Sequence, residues 1–272
     1  MTTRARRPEA RRAAPRSPAR AVARPVRARA RRAAPAAPSP PAAEQAREVH
    51  RRLAKAIPTP RCELDHRDPW QLLIATILSA QTTDARVNAV TPELFRRWPD
   101  AGALASAPPE EVEPVIRSTN FYRTKARSIT RAAQKVAGGF GGAVPRTMEE
   151  MLTLPGVARK TANVVLGTGY GIATGIVVDT HVARVSRRLG LTASEDPPDV
   201  ESDLCALFPR ARWVATGHRL LLHGRYVCVA RAPRCSSCPL NEICPSRGEP
   251  PAGTWQARAA GERRVVESGG DR

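Results

Sequence analysis

Apolar residues recur along the middle of the chain at intervals of three and four, which is the spacing of one face of an α-helix. Between residues 123 and 136 the apolar positions step in this way, while arginine and lysine fill the opposite face. Similar apolar stripes occur in 69–83, 182–189 and 213–222. No stretch alternates apolar and polar residues over the length of a strand. The pattern therefore predicts an all-α protein over residues 44–247.

The two ends of the chain differ in composition from this helical body. Residues 1–43 contain 12 arginines, 15 alanines and 8 prolines but one acidic residue, Glu9. Such a segment cannot bury enough apolar surface to offset the entropy lost on ordering, so we expect a disordered basic tail that touches a polyanion. An organelle transit peptide is the alternative, which the prolines disfavour. Residues 248–272 are polar and rich in glycine, and we expect them to be loose.

The chain is strongly basic. Its 272 residues contain 44 Lys and Arg against 25 Asp and Glu, a formal charge of +19. Residues 44–272 alone have 32 basic against 24 acidic residues, so the body is basic in its own right. This balance indicates a polyanionic partner such as nucleic acid. The longest uncharged stretch, 161–178, contains four glycines and is too polar for a spanning helix, so we expect no membrane partner.

Four of the six cysteines are close together, at Cys228, Cys235, Cys238 and Cys244. Their spacing, C-x6-C-x2-C-x5-C, predicts a metal site and not a set of disulfides. A zinc ribbon uses two C-x2-C pairs, of which only one is present here. Four thiolates with no open position also suit a cubane iron–sulfur cluster. The spacing favours the cluster but leaves zinc as the alternative.

The segment LPGVARKTA, residues 154–162, combines a tight turn with the start of a helix. Free N–H groups at a helix N-terminus can hold a phosphate. The segment contains Lys160, one of only four lysines beside 40 arginines. Arginine stays protonated and cannot act as an amine nucleophile, whereas lysine can. Lys160 is therefore a candidate nucleophile, although the same pattern is typical of an ordinary solvated turn.

A third segment, VDTHV at residues 178–182, precedes the apolar stripe 182–189. Asp179 is suited to cap the helix that starts there, and His181 falls in its first turn. Asp179 follows Lys160 by 19 residues, across one helix and a glycine-rich return. The two side chains can therefore face one cleft.

Taken together, these segments resemble the endonuclease III family of DNA glycosylases. The resemblance rests on LPGVARKTANVVL, VDTHV and the cysteine spacing in that order, and on SAQTTD (Ser79–Asp84) and FYRTKA (Phe121–Ala126). It covers about residues 44–247. It implies two helical lobes with a DNA cleft between them.

The resemblance also implies how the chain divides. A six-helix barrel would occupy residues 67–175, with a helix–hairpin–helix at about 150–167. The other lobe would comprise 44–66 and 176–247 and hold a [4Fe–4S] cluster on the four clustered cysteines.

Roles for single residues follow from the same resemblance. Lys160 matches the nucleophilic lysine and Asp179 the catalytic aspartate. Gln81 would fill the gap left by an extruded base, and Phe121 would wedge into the base stack. The remaining residues expected at the DNA are Gly156, Ala158, Arg159 and His181. The family usually has glycine where this chain has Ala158, and a methyl group there could crowd the DNA backbone.

The function implied is base excision repair. The chain would remove oxidised pyrimidines such as thymine glycol through a lysine Schiff base and nick the strand 3′ to the abasic site by β-elimination. Its partner would be double-stranded DNA with a damaged base or an abasic site, bound by a monomer. The alanine, arginine and proline bias favours a bacterial, cytoplasmic and nucleoid-associated protein over an organelle-targeted one.

Two alternatives remain at this point. The related adenine-specific mismatch glycosylase shares the hairpin and the cluster, but it lacks a lysine at the position of Lys160. It also has a further C-terminal domain, which we do not expect from the 28 residues after Cys244. The other alternative is a non-enzymatic, metal-containing DNA-binding module, since the charge, the hairpin and the cysteines need no chemistry.

Overall fold

Short polar side chains set many of the helix starts in this chain. Asp68, Thr83, Asp100, Thr147 and Asp179 each accept a hydrogen bond from a backbone N–H in the first turn of the helix that follows. The computed structural model describes residues 40–247, and within that range it contains eleven α-helices and no β-strand. The helices are α1 (Pro40–Ala56), α2 (Pro69–Leu78), α3 (Asp84–Arg97), α4 (Ala101–Ala105), α5 (Pro109–Val112), α6 (Tyr122–Gly139), α7 (Met148–Met151), α8 (Arg159–Val164), α9 (Thr180–Arg188), α10 (Pro197–Leu207) and α11 (Trp213–Tyr226).

The all-α prediction is confirmed for these residues. α6 buries its apolar stripe and exposes its basic face, as the spacing predicts. α1 begins at Pro40, so the last four residues of the segment 1–43, predicted to be disordered, are helical instead. Proline is accepted in the first turn because an N–H there has no partner within the helix. The rest of that segment and the predicted loose tail 248–272 lie outside the described residues.

Buried apolar side chains form two cores. The first lies within residues 64–166, surrounded by α2–α8, and we call this part the central lobe. The second joins α1 to α9–α11, and we call it the terminal lobe because it combines the two ends of the described chain. Leu64 packs into the central core, although the sequence assigned residues 44–66 to the other lobe. The reason is that the chain leaves α1 at Ala56 and has already crossed over by Leu64.

Residues 67–175, predicted to form a six-helix barrel, contain the seven α-helices α2–α8. Within this range, Pro108 lies between two short helices, α4 and α5, because proline cannot continue a helix from the preceding turn. Both short helices pack against α6. Within residues 40–247, no helix combines the length and the apolar character that crossing a membrane requires.

Contacts between α11 and the π-helical turn that follows α8 join the two lobes. α8 continues into a π-helical turn, Val165–Gly169. A Cβ atom on Gly167 would lie 3.0 Å from a methyl of Val214, so glycine permits the close approach of α11. Thr168 Oγ1 lies 3.0 Å from His218 Nε2. These contacts place Gly167 and Thr168, at the end of the predicted helix–hairpin–helix, beside the terminal lobe.

A second junction lies at the far end of α11. There the guanidinium of Arg225 forms ion pairs with Glu63 and Asp84, both in the part of the chain that precedes or begins α3. The hydroxyl of Tyr226 donates to the same Glu63 carboxylate. The two lobes are thus held together by polar contacts at this end and by close packing at the other.

Candidate active site

The hairpin before α8 depends on one glycine. Gly156 has φ +78°, a conformation that side-chain-bearing residues rarely adopt. A Cβ atom there would lie 3.1 Å from Ser128 Cβ and 3.4 Å from Ile77 Cγ2. Leu154 and Val157, on either side of the turn, are buried in the central core. Packing against the central core therefore fixes the turn, and residues 158–160, which follow it, are exposed.

Two predicted DNA-contacting or catalytic residues stand on this exposed start of α8. Ala158 occupies the N-cap position at φ −102°, an ordinary extended conformation that does not require glycine. No side chain caps this helix, which leaves its first N–H groups available. Lys160 is the second residue of α8 and is exposed. An exposed amine therefore stands next to uncapped backbone donors.

Arg159 faces a carboxylate. Its Nε and Nη2 donate to Glu201 of α10 at 3.1 and 3.0 Å, and Asn163 Nδ2 donates to the same carboxylate at 2.9 Å. Thr174 in turn donates to Asn163 Oδ1 at 2.8 Å. A Cβ atom on Gly175 would collide with Glu201, so glycine makes room for this network. Sequence reasoning missed Glu201, because nothing near it in the chain marks it as the partner of the hairpin.

Asp179 serves as the cap that its position predicts. Its Oδ1 accepts from the backbone N–H of His181 at 2.9 Å and of Val182 at 2.8 Å. Its Oδ2 lies 3.0 Å from Nδ1 of His181. His181 thus touches the carboxylate of Asp179 through both its backbone and its ring. The aspartate has one fixed orientation at the start of α9.

Electrostatics connect Asp179 with Lys160. Burial alone would raise the pKa of Asp179, whose side chain is only 13% exposed. Hydrogen bonds from His181 and the N–H of Val182, together with the positive charge of Lys160, outweigh burial and lower this pKa to about 2. Asp179 is therefore ionised at neutral pH. The structure brings the predicted nucleophile and the predicted aspartate within electrostatic reach of each other.

Gln81 and Phe121 share an unusual backbone conformation. They have φ +53° and +56° and are the two non-glycine residues with positive φ between residues 40 and 247. Both are exposed, Phe121 with 65% of its surface accessible. Strained backbone of this kind is concentrated at functional sites. The two residues with a predicted role in the base stack are therefore also the strained ones.

A polar bridge connects the loops that hold these two residues. Asn120 donates from its side chain to the carbonyl of Gln81 and from its backbone to Thr82 Oγ1, the latter at 3.2 Å. Lys125 Nζ donates to the same hydroxyl at 2.7 Å. Sequence reasoning missed all three bridging residues. A signal was available, since Lys125 lies four residues before Ile129 and so falls on the apolar stripe of α6.

The four clustered cysteines line one cavity. Burial, and then the charges of neighbouring thiolates, raise the pKa of the Cys238 and Cys244 thiols. Within residues 40–247 no three His, Cys, Asp or Glu side chains converge on a point that could hold one metal ion. The four thiols therefore gather in one cavity of the terminal lobe, where they could hold a metal site together.

A buried guanidinium lies against the cysteine cavity. Arg188 is 4% exposed and donates to Cys228 Sγ at 3.2 Å and to the carbonyls of Val229 and Ala230 at 2.9 Å. His223 Nε2 lies 3.6 Å from Cys238 Sγ, and burial lowers the pKa of His223 to about 4. A cationic side chain beside crowded thiolates is consistent with a site of net negative charge.

Comparison with known proteins agrees with this fold and site. Residues 74–210 match the model of the HhH-GPD superfamily of base excision DNA repair proteins. Endonuclease III of Synechocystis sp. is 55% identical over 185 residues, which cover 68% of this chain and 84% of that protein. Endonuclease III of Bacillus subtilis is 45% identical over 67% of this chain and 84% of its own length.

Solved structures give the same result. The structure of a trapped covalent intermediate between an endonuclease III and DNA has a TM-score of 0.71 at 44% identity, covering 75% of this chain and 95% of that one. The fold and site thus define a base excision DNA repair protein of the HhH-GPD superfamily. Within that superfamily the chain belongs to the endonuclease III family. It is an enzyme, a DNA glycosylase with an associated lyase activity at abasic sites.

Proposed function

We propose that this chain removes oxidised pyrimidines from double-stranded DNA through a covalent intermediate on Lys160 and then nicks the strand. The observation that carries the proposal is the half-buried carboxylate of Asp179, which is held in one orientation by hydrogen bonds and is ionised with a contribution from the charge of exposed Lys160. The covalent DNA complex of a 44% identical endonuclease III supports it. No separate observation favours an adenine glycosylase or a purely DNA-binding protein.

DNA binding would begin at the phosphates. The uncapped N–H groups at the start of α8 can hold a phosphate, and Arg159 retains N–H groups that Glu201 does not use. Ala158 is compatible with this role because its methyl group needs no special backbone conformation. These contacts fix the position of the strand but do not read bases.

Extrusion of the damaged nucleotide must follow, since its sugar cannot be reached within the stack. Gln81 and Phe121 are exposed side chains on neighbouring loops. In this proposal Phe121 inserts between base pairs and Gln81 occupies the gap left by the extruded base. The favourable interactions of these two side chains with the DNA offset the cost of unstacking.

Catalysis would start from the unprotonated amine of Lys160. Its Nζ attacks C1′ of the sugar, the glycosidic bond breaks, and the base leaves with the bonding electron pair and takes up a proton. The sugar ring opens to an imine between C1′ and Nζ. Loss of a proton from C2′ then breaks the C3′–O bond, and the 3′ phosphate leaves. The strand is cut 3′ to the lesion.

Asp179 would act through its charge. A carboxyl group with a pKa of about 2 is a weak base near neutral pH, so it is poorly suited to take a proton from Lys160. An ionised and oriented carboxylate can instead stabilise the positive charge that develops on the sugar. His181 would hold the orientation through its contacts with both carboxylate oxygens.

A [4Fe–4S] cluster would bind to Cys228, Cys235, Cys238 and Cys244. When bound it supplies cross-links between distant parts of the C-terminal segment and relieves the mutual repulsion of the thiolates. Arg188 would lie beside the cluster through its contact with Cys228. Lys160 and Asp179 come from one chain, so a single copy would supply both residues of the proposed site.

Lys160→Arg tests the proposal. The substitution keeps the charge but removes the amine nucleophile, so DNA binding should survive while nicking of thymine glycol duplexes and borohydride trapping both disappear. Lys135→Arg, an exposed lysine on α6, is the matched control and should behave as wild type. A trapped adduct of Lys160→Arg at the wild-type rate would assign the nucleophile to another amine. Excision of adenine opposite oxidised guanine, with no excision of thymine glycol, would favour the mismatch glycosylase.

A further inference from the structure

The backbone conformations of Gln81 and Phe121, the two exposed residues proposed to enter the base stack, need support from the rest of the protein. Gln81 and Phe121 both have a left-handed backbone, which disfavours residues with side chains. Such conformations persist only where the surrounding structure over-determines them. Neither residue is held by its own side chain, since both side chains are exposed. The support must come from contacts to the backbone and to neighbouring residues.

Thr82 is the centre of that support. Its hydroxyl accepts from Lys125 Nζ at 2.7 Å and from the N–H of Asn120 at 3.2 Å, and it reaches the carbonyl of Ala80 at 3.5 Å. A hydroxyl has two acceptor sites and one donor, so all of its capacity is in use. Asn120 also donates to the carbonyl of Gln81. One hydroxyl and one amide therefore connect the loop of Gln81 to the residue that precedes Phe121.

Lys125 is an unusual component of this bridge. It is only 5% exposed, and burial lowers its pKa to about 8. Within residues 40–247 the only hydrogen-bond partner of its amine is Thr82, and no carboxylate lies within ion-pair distance. Lys125 also closes the first turn of α6, since its N–H donates to the carbonyl of Phe121 at 3.0 Å. A buried amine without a counter-ion is costly, and its position at the base of both loops calls for a reason.

We propose that Lys125, Thr82 and Asn120 are positioning residues that hold Gln81 and Phe121 at a fixed separation, so that both enter the base stack together. This inference rests on the proposed function of the two loops. Without the bridge the loops could move independently, and part of the binding energy would be spent on aligning them. The bridge therefore acts on extrusion of the nucleotide and leaves the chemistry of Lys160 unchanged.

Thr82→Val and Thr82→Ser form the test pair. Valine keeps the shape of threonine and removes the hydroxyl, whereas serine keeps the hydroxyl. Each protein is bound to a duplex with 2-aminopurine opposite an abasic analogue, where unstacking raises the fluorescence. We expect Thr82→Val to lose at least half of the wild-type increase at saturation and Thr82→Ser to retain it. Single-turnover excision of thymine glycol by Thr82→Val should fall on the order of 10-fold.

Borohydride trapping on a single-stranded abasic oligonucleotide separates positioning from chemistry. This substrate needs no extrusion, so we expect Thr82→Val to trap it at the wild-type rate. Thr124→Val, an exposed threonine on α6, is the matched control for the substitution itself. If Thr82→Val does not fold, Asn120→Ala removes the contact to Gln81 at an exposed position and should lower the fluorescence increase in the same way.

Two results would overturn the inference. One is a wild-type fluorescence increase in Thr82→Val or, if that variant does not fold, in Asn120→Ala. The other is an equal defect in Thr82→Ser and Thr82→Val. The unstacking measurement depends on binding alone, so it decides the question even if the wild-type protein forms no adduct. Failure of wild-type trapping would instead contradict the proposed function.

Discussion

The central and terminal lobes are stabilised in different ways. The central core contains 28 buried apolar side chains from residues 64–166, and the terminal core contains 14. The difference is greatest after α11, where Leu240 is the single buried apolar residue between 227 and 247. A segment with so little buried apolar surface needs cross-links to stay folded. The four clustered cysteines lie in this segment.

This difference bears on the active site because the site draws on both lobes. Lys160 stands on the apolar-cored central lobe, while Asp179 caps α9 of the terminal lobe. Their alignment depends on the contacts of α11 with the π-helical turn after α8 and on the hydrogen bonds between Arg159 and Glu201. Substitutions in the two lobes should therefore have different effects on folding, stability and excision.

Loss of a cluster ligand should have the largest effect. Cys235→Ala removes one of four cross-links in a segment with almost no apolar core, and metal binding is coupled to folding. We expect the variant to be recovered as insoluble or unfolded protein, measured by soluble yield and circular dichroism. Ser236→Ala, an exposed neighbour, should give normal yields. A soluble, folded Cys235→Ala protein would show that the terminal lobe does not depend on the cluster.

A cavity in the central core should be costly but tolerated. Leu73 is fully buried, and Leu73→Ala should lower the free energy of unfolding by about 3 kcal/mol, as is typical of a large-to-small change. The visible absorbance that the proposed iron–sulfur cluster would give, a brown colour, should be retained because Leu73 lies in the other lobe. Leu152→Ala, at an exposed position, should cost little. Denaturant unfolding and visible absorbance measure both effects, and loss of colour in Leu73→Ala would mean that the lobes unfold as one.

Asp179→Asn should separate capping from charge. Asparagine caps helices about as well as aspartate, so the protein should fold with nearly unchanged stability at neutral pH. Without the carboxylate, single-turnover excision should fall on the order of 100-fold. Asp100→Asn, which alters a cap in the central lobe, should leave excision unchanged. Wild-type excision by Asp179→Asn would reduce Asp179 to its capping role.

Lowering the pH should reveal a smaller effect of Asp179, on the stability of the fold. The pKa of Asp179 is about 2 in the folded chain, below its value of about 3.9 in an unfolded one. Its ionisation therefore stabilises the fold above pH ~4, and this contribution is lost as the pH falls towards 2. We expect a steeper acid loss of stability in wild type than in Asp179→Asn. Parallel unfolding curves from pH 5 to 2 would contradict this assignment.

Sequence periodicity predicted α6 and α9 because each of these helices buries one apolar stripe. It predicted Asp179 as a cap because capping is local, and the turn at Gly156 for the same reason. It could not predict that Arg159 pairs with Glu201, which lies 42 residues further along the chain. Such pairs depend on how two lobes meet, and no local pattern records that.

The roles of the two strained loops could be predicted from the sequence only through the family resemblance. Nothing in the composition of SAQTTD indicates a left-handed Gln81, since such a conformation usually predicts glycine. Lys125 is a case where the pattern was present but misleading. Its place on the apolar stripe of α6 predicts burial, whereas its charge predicts exposure, and the hydroxyl of Thr82 is what resolves the conflict.

The order of the lobes along the chain has a consequence for synthesis. α1 ends at Ala56, but the helices that cover its apolar face start only at Thr180, about 120 residues later. At roughly 5–20 residues per second, α1 leaves the ribosome on the order of 10 s before its first partner. During that interval the central lobe can fold while Val49 and Leu53 stay uncovered. A nascent chain stalled near residue 175 would therefore expose the apolar face of α1 to chaperones.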